Sequence, residues 1–276
     1  MSGDDAGAPG QSLAFDRAAE YYDETRAIDE AALADTIDLL EAELGGRGPV
    51  LEIGVGTGIV ALPFAARGVP LAGLDLSLPM MRKLVEKAGG RAPLPLVRGD
   101  ATRMPFREDA FGGAYARWVL HVIPAWRDAV GELCRVVRPG GLVLVEPAGS
   151  RGRWRELWVR FQEVTGGDLM ATGFDVGEGF GDLDTAFVAH GAVPRALPTR
   201  MVPGRVTFEQ FFDRIERRRY SWTWRISEED LQRAIAEVRP WAEERWGRLD
   251  QPLDPEFPMM WRAYDLPMGS GTGTPD

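Results

Sequence analysis

At 276 residues, 45% hydrophobic and 27% charged, the chain has the composition of an ordinary globular protein with a sizeable core. A formal charge of -10 and a pI of about 4.9 make it a poor match for a nucleic-acid backbone, so no nucleic acid and a small-molecule partner are expected. The single cysteine, Cys134, excludes an intrachain disulfide, the acidic N-terminus lacks a secretory pattern, and no apolar run reaches the roughly 18 residues of a membrane span, so a cytoplasmic protein without a membrane partner is expected.

Residues 1–12, rich in Gly, Asp and Ser, read as a disordered leader. From Phe15 to Leu44 apolar residues recur at helical spacing, which predicts two N-terminal helices over 13–46 ending at Gly45-Gly46. Over 47–150, short apolar strands at about 50–53, 70–74, 94–98, 113–119 and 142–146 alternate with helical patterns at about 58–67, 77–88 and 125–137, the last closed by RPGG at 138–141. That alternation predicts an α/β fold, a Rossmann-like three-layer sandwich with a mostly parallel sheet. Residues 151–205 read as connecting helices and a strand-like stretch at about 195–202, and 206–250 as a helical cap insertion. The final strand falls within 251–268, at about 257–266, and 269–276 form a tail.

The stretch V50-L-E-I-G-V-G-T-G58 runs an apolar strand into Gly54, Gly56 and Gly58. Glycines at a strand end let backbone approach a ligand closely, because no Cβ stands in the way. The dinucleotide fingerprint wants a glycine at the sixth place, where this chain has Ile59, and the Gly-Lys-Ser/Thr ending of a phosphate-binding loop is absent. L71-AGLDLS-77 then ends a second strand in Asp75, 21 residues past Gly54, where a carboxylate can accept from ribose hydroxyls. V97-RGDATRMPF-106, F111-GGAYARWVLHVI-123 and L133-CRVVRPGGLVLVEP-147 follow in order.

These segments together resemble the motifs of the class I S-adenosylmethionine-dependent methyltransferases, within them the small-molecule branch of the ubiquinone and menaquinone biosynthesis methyltransferases. The resemblance implies a seven-stranded sheet with its last strand antiparallel, and S-adenosylmethionine as cofactor, released as S-adenosylhomocysteine. It places Gly54, Val55, Gly56 and Gly58 under the methionine part, Asp75 on the ribose, Leu76 and Met80 against the adenine, and Asp100 on the adenine amino group with Ala101 beside the ring. Glu52 is implied as a contact to the cofactor's ammonium, with a structural salt bridge as its alternative, and the Arg117 carbonyl as a further acceptor. Tyr22 and Arg26 lie in F15-DRAAEYYDETR-26, similar to a cover helix that closes on the cofactor, and are implied as partners of the methionine carboxylate. One departure stands out: Gly112 occupies a position where the branch usually carries an acid.

Trp118, with Tyr220, Trp222 and Trp224 of the cap, would bind an apolar or aromatic acceptor, although such aromatic stripes also serve as core. The basic runs at 151–155 and 214–219 read as solvated faces, with an anion-binding role if they turn inward. His190, at a helix end, reads as structural, and His121, at the mouth of the expected pocket, as a candidate general base, with the packing or loop hydrogen bonding that the resemblance implies as its alternative. One cysteine and two distant histidines give no metal-ligand spacing. The expected reaction is methyl transfer to an O, N, C or S nucleophile of a small molecule. Its rivals are a non-catalytic adenosyl-cofactor-binding or assembly subunit, and a nicotinamide oxidoreductase that Ile59 opposes.

Overall fold

The computed structural model describes residues 12–26, 29–148, 152–166, 173–174, 179–254 and 256–269. The expected leader, Ser12 excepted, and the tail after Gly269 lie outside the described residues. The N-terminal part contains a 3-10 turn at Asp16–Ala18, then α1 (Tyr22–Arg26) and α2 (Glu30–Leu44). The Asp29 carboxylate fixes the start of α2 by accepting from the Ala31 and Ala32 amides. Next come β1 (Val50–Ile53), α3 (Ala61–Ala65), β2 (Leu71–Asp75), α4 (Leu78–Lys87), β3 (Leu96–Arg98), β4 (Phe111–Arg117), α5 (Trp126–Val136) and β5 (Val137–Glu146). The chain continues through α6 (Gly152–Thr165), α7 (Gly181–Val188), β6 (Val193–Ala196), β7 (Arg200–Pro203), α8 (Phe208–Glu216), α9 (Glu228–Trp246), β8 (Glu256–Met259) and β9 (Arg262–Asp265).

Seven strands form one sheet in the order β3-β2-β1-β4-β5-β9-β6. The first five are parallel, and β9 runs antiparallel to both β5 and β6. Chain order reverses between β1 and β4, the switch point at which open α/β sheets hold ligands beyond their carboxyl ends. One face of the sheet packs Leu51, Ile53, Val143 and Val145 against α5 and α7, and the other packs Val50, Tyr115, Leu142 and Leu144 against α2, α3 and α4. A third, aromatic cluster joins α6 to α8 and α9 through Phe161, Phe208, Phe211, Phe212, Leu231 and Val238. Each such side chain contributes about 1.5–3 kcal/mol when fully buried, so the α8 and α9 helices inserted between β6 and β9 share with α6 a core separate from that of the sheet.

Several boundaries differ from the sequence reading. The stretch expected as one strand at 195–202 is two: Val193–Ala196 pairs with β9, and Arg200–Pro203 pairs with β8 in a separate ribbon. Pro198, without an N–H for the ladder, lies in the break. The strand expected at 257–266 divides likewise, around Met260 and Trp261. β4 stops at Arg117, because Trp118 takes a left-handed φ of 50°, and RPGG is drawn into β5 across a register shift between Phe111 and Gly113. The helix expected at 58–67 is confined to Ala61–Ala65, its first residues being spent on the glycine turn. Among the described residues, no helix is long and apolar enough to cross a membrane.

Candidate functional site

The glycine turn after β1 has φ of 71°, 53° and 75° at Gly54, Gly56 and Gly58, a region costly for residues with a Cβ. The three serve different purposes. A Cβ on Gly54 would stand 2.7 Å from the Val119 side chain, and one on Gly58 2.7 Å from Leu84, so both let neighbouring elements close up. On Gly56 it would meet only the Met80 Cε, at 3.4 Å, and Gly56 is the one of these last two that lines the cleft. Val55 turns its side chain into the core against Gly73 and gives its N–H to the Leu74 carbonyl, so only its backbone belongs to the turn.

A cleft of about 620 Å³, including solvent at its mouth, opens over this turn. It brings together Tyr22, Gly54, Gly56, Asp75, Leu76, Met80, Asp100, Ala101 and Trp118 of the expected residues. Asp75 ends β2 and is held from both sides: Oδ2 accepts from the Gly56 N–H at 2.7 Å and Oδ1 from the Ser77 N–H at 2.8 Å. Burial raises its pKa despite these bonds. Ser77 also caps α4, its hydroxyl accepting from the Met80 N–H, which sets Met80 against the cleft. Asp100, past β3, spends Oδ1 on the Thr102 amide and hydroxyl, both at 2.9 Å, and on the Ser12 hydroxyl at 3.4 Å; Oδ2 takes none of these bonds.

Beside the cleft, four polar residues occupy the carboxyl ends of β1, β4 and β5. Glu52 is 4% exposed and accepts a 2.6 Å hydrogen bond from the hydroxyl of Tyr115, its register partner on β4. Burial pushes the Glu52 carboxyl up to about 8, outweighing the Tyr115 hydrogen bond and nearby Arg117. The salt bridge considered as its alternative role is not what holds it. Arg117 instead pairs with Glu146, Nε to Oε2 at 2.7 Å, and its guanidinium lies 3.7 Å over the Trp118 ring. Burial raises the Glu146 pKa, with Arg117 opposing.

The N-terminal segment roofs the cleft. Ser12, Leu13 and Phe15 line it along with Tyr22, and the Leu13 N–H bonds the Val122 carbonyl at 3.1 Å. Asp23 of α1 accepts from the Thr57 hydroxyl in the glycine turn and pairs with Lys87 of α4 at 2.7 Å. Burial raises the Tyr22 pKa, while Arg26 and Arg117 nearby lower it. Arg26 lies over the rings of Tyr22 and Tyr220, at 5.8 and 5.5 Å.

Four residues expected at the acceptor or catalytic positions lie elsewhere. Tyr220, Trp222 and Trp224 are not in the cleft: Tyr220 is buried in the aromatic cluster, Trp222 packs on it, and Trp224 packs against Phe15 with its Nε1 on the Arg218 carbonyl at 2.8 Å. His121 does not stand at the mouth. It is half-buried in a 3-10 turn, its enclosed Nδ1 has no hydrogen-bond partner among the described residues, and burial together with Arg26 pushes its pKa down to about 3. A base that weak is poorly matched to neutral pH. The 214–219 run is only partly a solvated face: Glu216 and Arg217 are exposed, while Arg214 and Arg219 both bond Glu24 of α1 and Arg218 holds the Thr223 and Ile226 carbonyls. Of the run at 151–155, Arg151 lies outside the described residues. His190 is exposed just past α7, its ring against Gly131.

Gly112 has a direct steric reason: a Cβ there would fall 1.7 Å from the Arg47 carbonyl oxygen, so no side chain fits. The residues missed by sequence reasoning, chiefly Ser12, Leu13, Val119, Val122 and Ile123, had weak signals. Ser12 shared the polar composition of the leader, and the apolar run through 119–123 concealed where β4 ends.

Comparison with known proteins agrees with this geometry. Residues 51–145 match the model of a methyltransferase domain. The chain is 33% identical over 136 residues to the demethylmenaquinone methyltransferase of Streptomyces avermitilis, covering 48% of this chain and 57% of that protein. It is 32% identical over 151 residues to the malonyl-[acyl-carrier protein] O-methyltransferase of Salmonella typhimurium, covering 53% and 57%. The match thus spans little more than half the length of these relatives. The YcgJ protein of Bacillus subtilis superposes with a TM-score of 0.58 at 19% identity, covering 87% of this chain and all of that one, a likeness of fold. Residues 51–145, which match the model of a methyltransferase domain, lie in a mostly parallel seven-stranded Rossmann-like sheet with the glycine turn at its switch point.

Proposed function

We propose that the protein transfers a methyl group from S-adenosylmethionine to an oxygen, nitrogen, carbon or sulfur nucleophile of a small molecule. The observation that carries this reading is the convergence of Gly56, Asp75 and Asp100 on one cleft at the carboxyl edge of the sheet. A carboxylate has about four lone-pair sites, so Asp75 retains capacity for two ribose hydroxyls after its two backbone bonds. Asp100 keeps Oδ2 for the adenine amino group, with Ala101, Leu76 and Met80 around the ring. Glu52 and the Arg117 carbonyl suit the ammonium, and Tyr22 and Arg26 the methionine carboxylate.

When bound, the cofactor supplies a methyl group already activated by the sulfonium charge. The protein's part is to align donor and acceptor and to exclude water, which the 12–26 segment does by roofing the cleft. The name of the Streptomyces relative supports a small-molecule acceptor, and the charge of -10 fits one better than nucleic acid.

Titration calorimetry with S-adenosylmethionine, S-adenosylhomocysteine and the nicotinamide dinucleotides tests the proposal. Binding of the two adenosyl compounds alone supports it, and binding of neither refutes it. Asp75→Ala, checked for folding by circular dichroism, is expected to weaken adenosyl binding by about 1–3 kcal/mol, the cost of losing a charged acceptor. Unchanged affinity removes Asp75 from the site.

A further inference from the structure

With 42 acids against 32 bases in the chain, an arginine that lacks a carboxylate partner is conspicuous. Three of the four arginines at the end of α8 and just past it are paired: Arg217 with Asp213, Arg218 with Glu228 and Arg219 with Glu24. Arg214 is the exception. Its Nη2 donates to the Glu24 carbonyl at 3.3 Å, a neutral acceptor that leaves the guanidinium charge uncompensated, and no acid stands three or four residues from it along α8. Arg26, at the end of α1, likewise forms no ion pair among the described residues. It lies over the rings of Tyr22 and Tyr220, and its charge adds to burial in lowering the His121 pKa.

The two unpaired cations converge on Tyr220. That residue is 2% exposed in the aromatic cluster, yet its enclosed hydroxyl has no hydrogen bond of good geometry among the described residues, Arg214 approaching it without completing one. Burial raises the Tyr220 pKa, and Arg214 and Arg26, the charged groups that face it, oppose the rise. An enclosed hydroxyl without a partner is costly, and two neighbouring guanidinium groups without a counter-charge repel. An anionic oxygen set among them removes both costs, because it accepts from the hydroxyl and from the guanidinium fork together. The Glu24 carboxylate does not fill that role, being turned to Arg219. The place is also joined to the cleft: Tyr22, which Arg26 overlies, lines it, and the helix that Arg214 holds belongs to its roof.

We propose that Arg214 and the Tyr220 hydroxyl, with the Arg26 charge beside them, form a subsite for an anionic group, a carboxylate or phosphate, on the methyl acceptor. This rests on the methyl-transfer reading for the word acceptor. A guanidinium has five N–H donors, enough for Arg26 to serve the methionine carboxylate as well. Equilibrium dialysis of the full chain measures binding of labelled malonate and of labelled inorganic phosphate at constant ionic strength, with and without saturating S-adenosylhomocysteine. One equivalent of anion should bind in both conditions, and the tighter of the two names the group. Arg214→Met should weaken binding about tenfold or more, and Tyr220→Phe, which keeps the ring in its cluster, about threefold or more, with folding checked by circular dichroism. Arg214→Lys should restore part of the affinity, and Arg217→Met, which removes an equal charge from an exposed pair nearby, should leave it unchanged. Absence of anion binding by the native protein, undiminished binding by Arg214→Met and Tyr220→Phe, or an equal loss in Arg217→Met overturns the proposal. Displacement of the anion by S-adenosylhomocysteine overturns it too, since the arginines would then serve the cofactor's carboxylate alone. Failure of S-adenosylhomocysteine to bind would overturn the proposed function only, because anion binding is also read without it.

Discussion

Glu52→Gln separates a buried acid from an ordinary salt-bridged one. In the folded chain Glu52 keeps its proton up to about pH 8, whereas the unfolded chain releases it near 4.5. Between these values the folded state holds one proton more than the unfolded state, so stability falls as pH rises through that window. The favourable contribution is complete below pH 4.5 and lost above pH 8. Each pH unit is worth about 1.4 kcal/mol for one proton, so the full window spans up to about 5 kcal/mol. Glutamine retains an oxygen for the Tyr115 hydroxyl and carries no charge, so the variant should gain on the native protein by that amount between pH 4.5 and 8.5. Urea denaturation at half-unit pH steps measures it. Parallel stability curves for the two proteins would refute the reasoning, because they would mean that Glu52 titrates alike in both states. The same linkage predicts that a ligand placing an ammonium beside Glu52 expels its proton near neutral pH, visible calorimetrically as a buffer-dependent binding enthalpy that Glu52→Gln abolishes.

Three further outcomes follow from the glycines and the roof. Gly112→Ala should cost about 3 kcal/mol or more in denaturant unfolding, because its Cβ meets backbone that cannot turn aside. Gly58→Ala should destabilise by about 1–3 kcal/mol through Leu84, whereas Gly56→Ala should lose about 1–2 kcal/mol to its left-handed φ and in addition weaken adenosyl binding in calorimetry. Glu24→Gln removes the carboxylate gripped by Arg219, and stopped-flow release of S-adenosylhomocysteine should quicken in the variant and lose part of its salt dependence.

Legibility in the sequence followed the range of the interactions. The alternation of strands and helices and the chemistry of Gly56, Asp75 and Asp100 could be read because each depends on local pattern and on fixed order along the sheet. What could not be read depends on contacts between distant segments. Gly58 looks like a ligand glycine until Leu84 is seen against it. The 214–219 run looks solvated until Glu24, some 190 residues earlier, is found in its grip. Tyr220 and Trp222 look like pocket residues because aromatic composition does not distinguish a cleft wall from the core of an insertion. His121 had the right residue type in nearly the right place, and only its enclosure reveals how weak a base it is.

That weakness constrains the chemistry. A general base works best with a pKa near the working pH. His121 falls to about 3, the Tyr22 hydroxyl is raised above its ordinary value, and Glu52, at about 8, already accepts from Tyr115 at the sheet edge. The groups around the cleft are therefore better suited to holding ligands than to pulling protons from them. On the methyl-transfer proposal, such a site suits an acceptor that arrives with its lone pair already available.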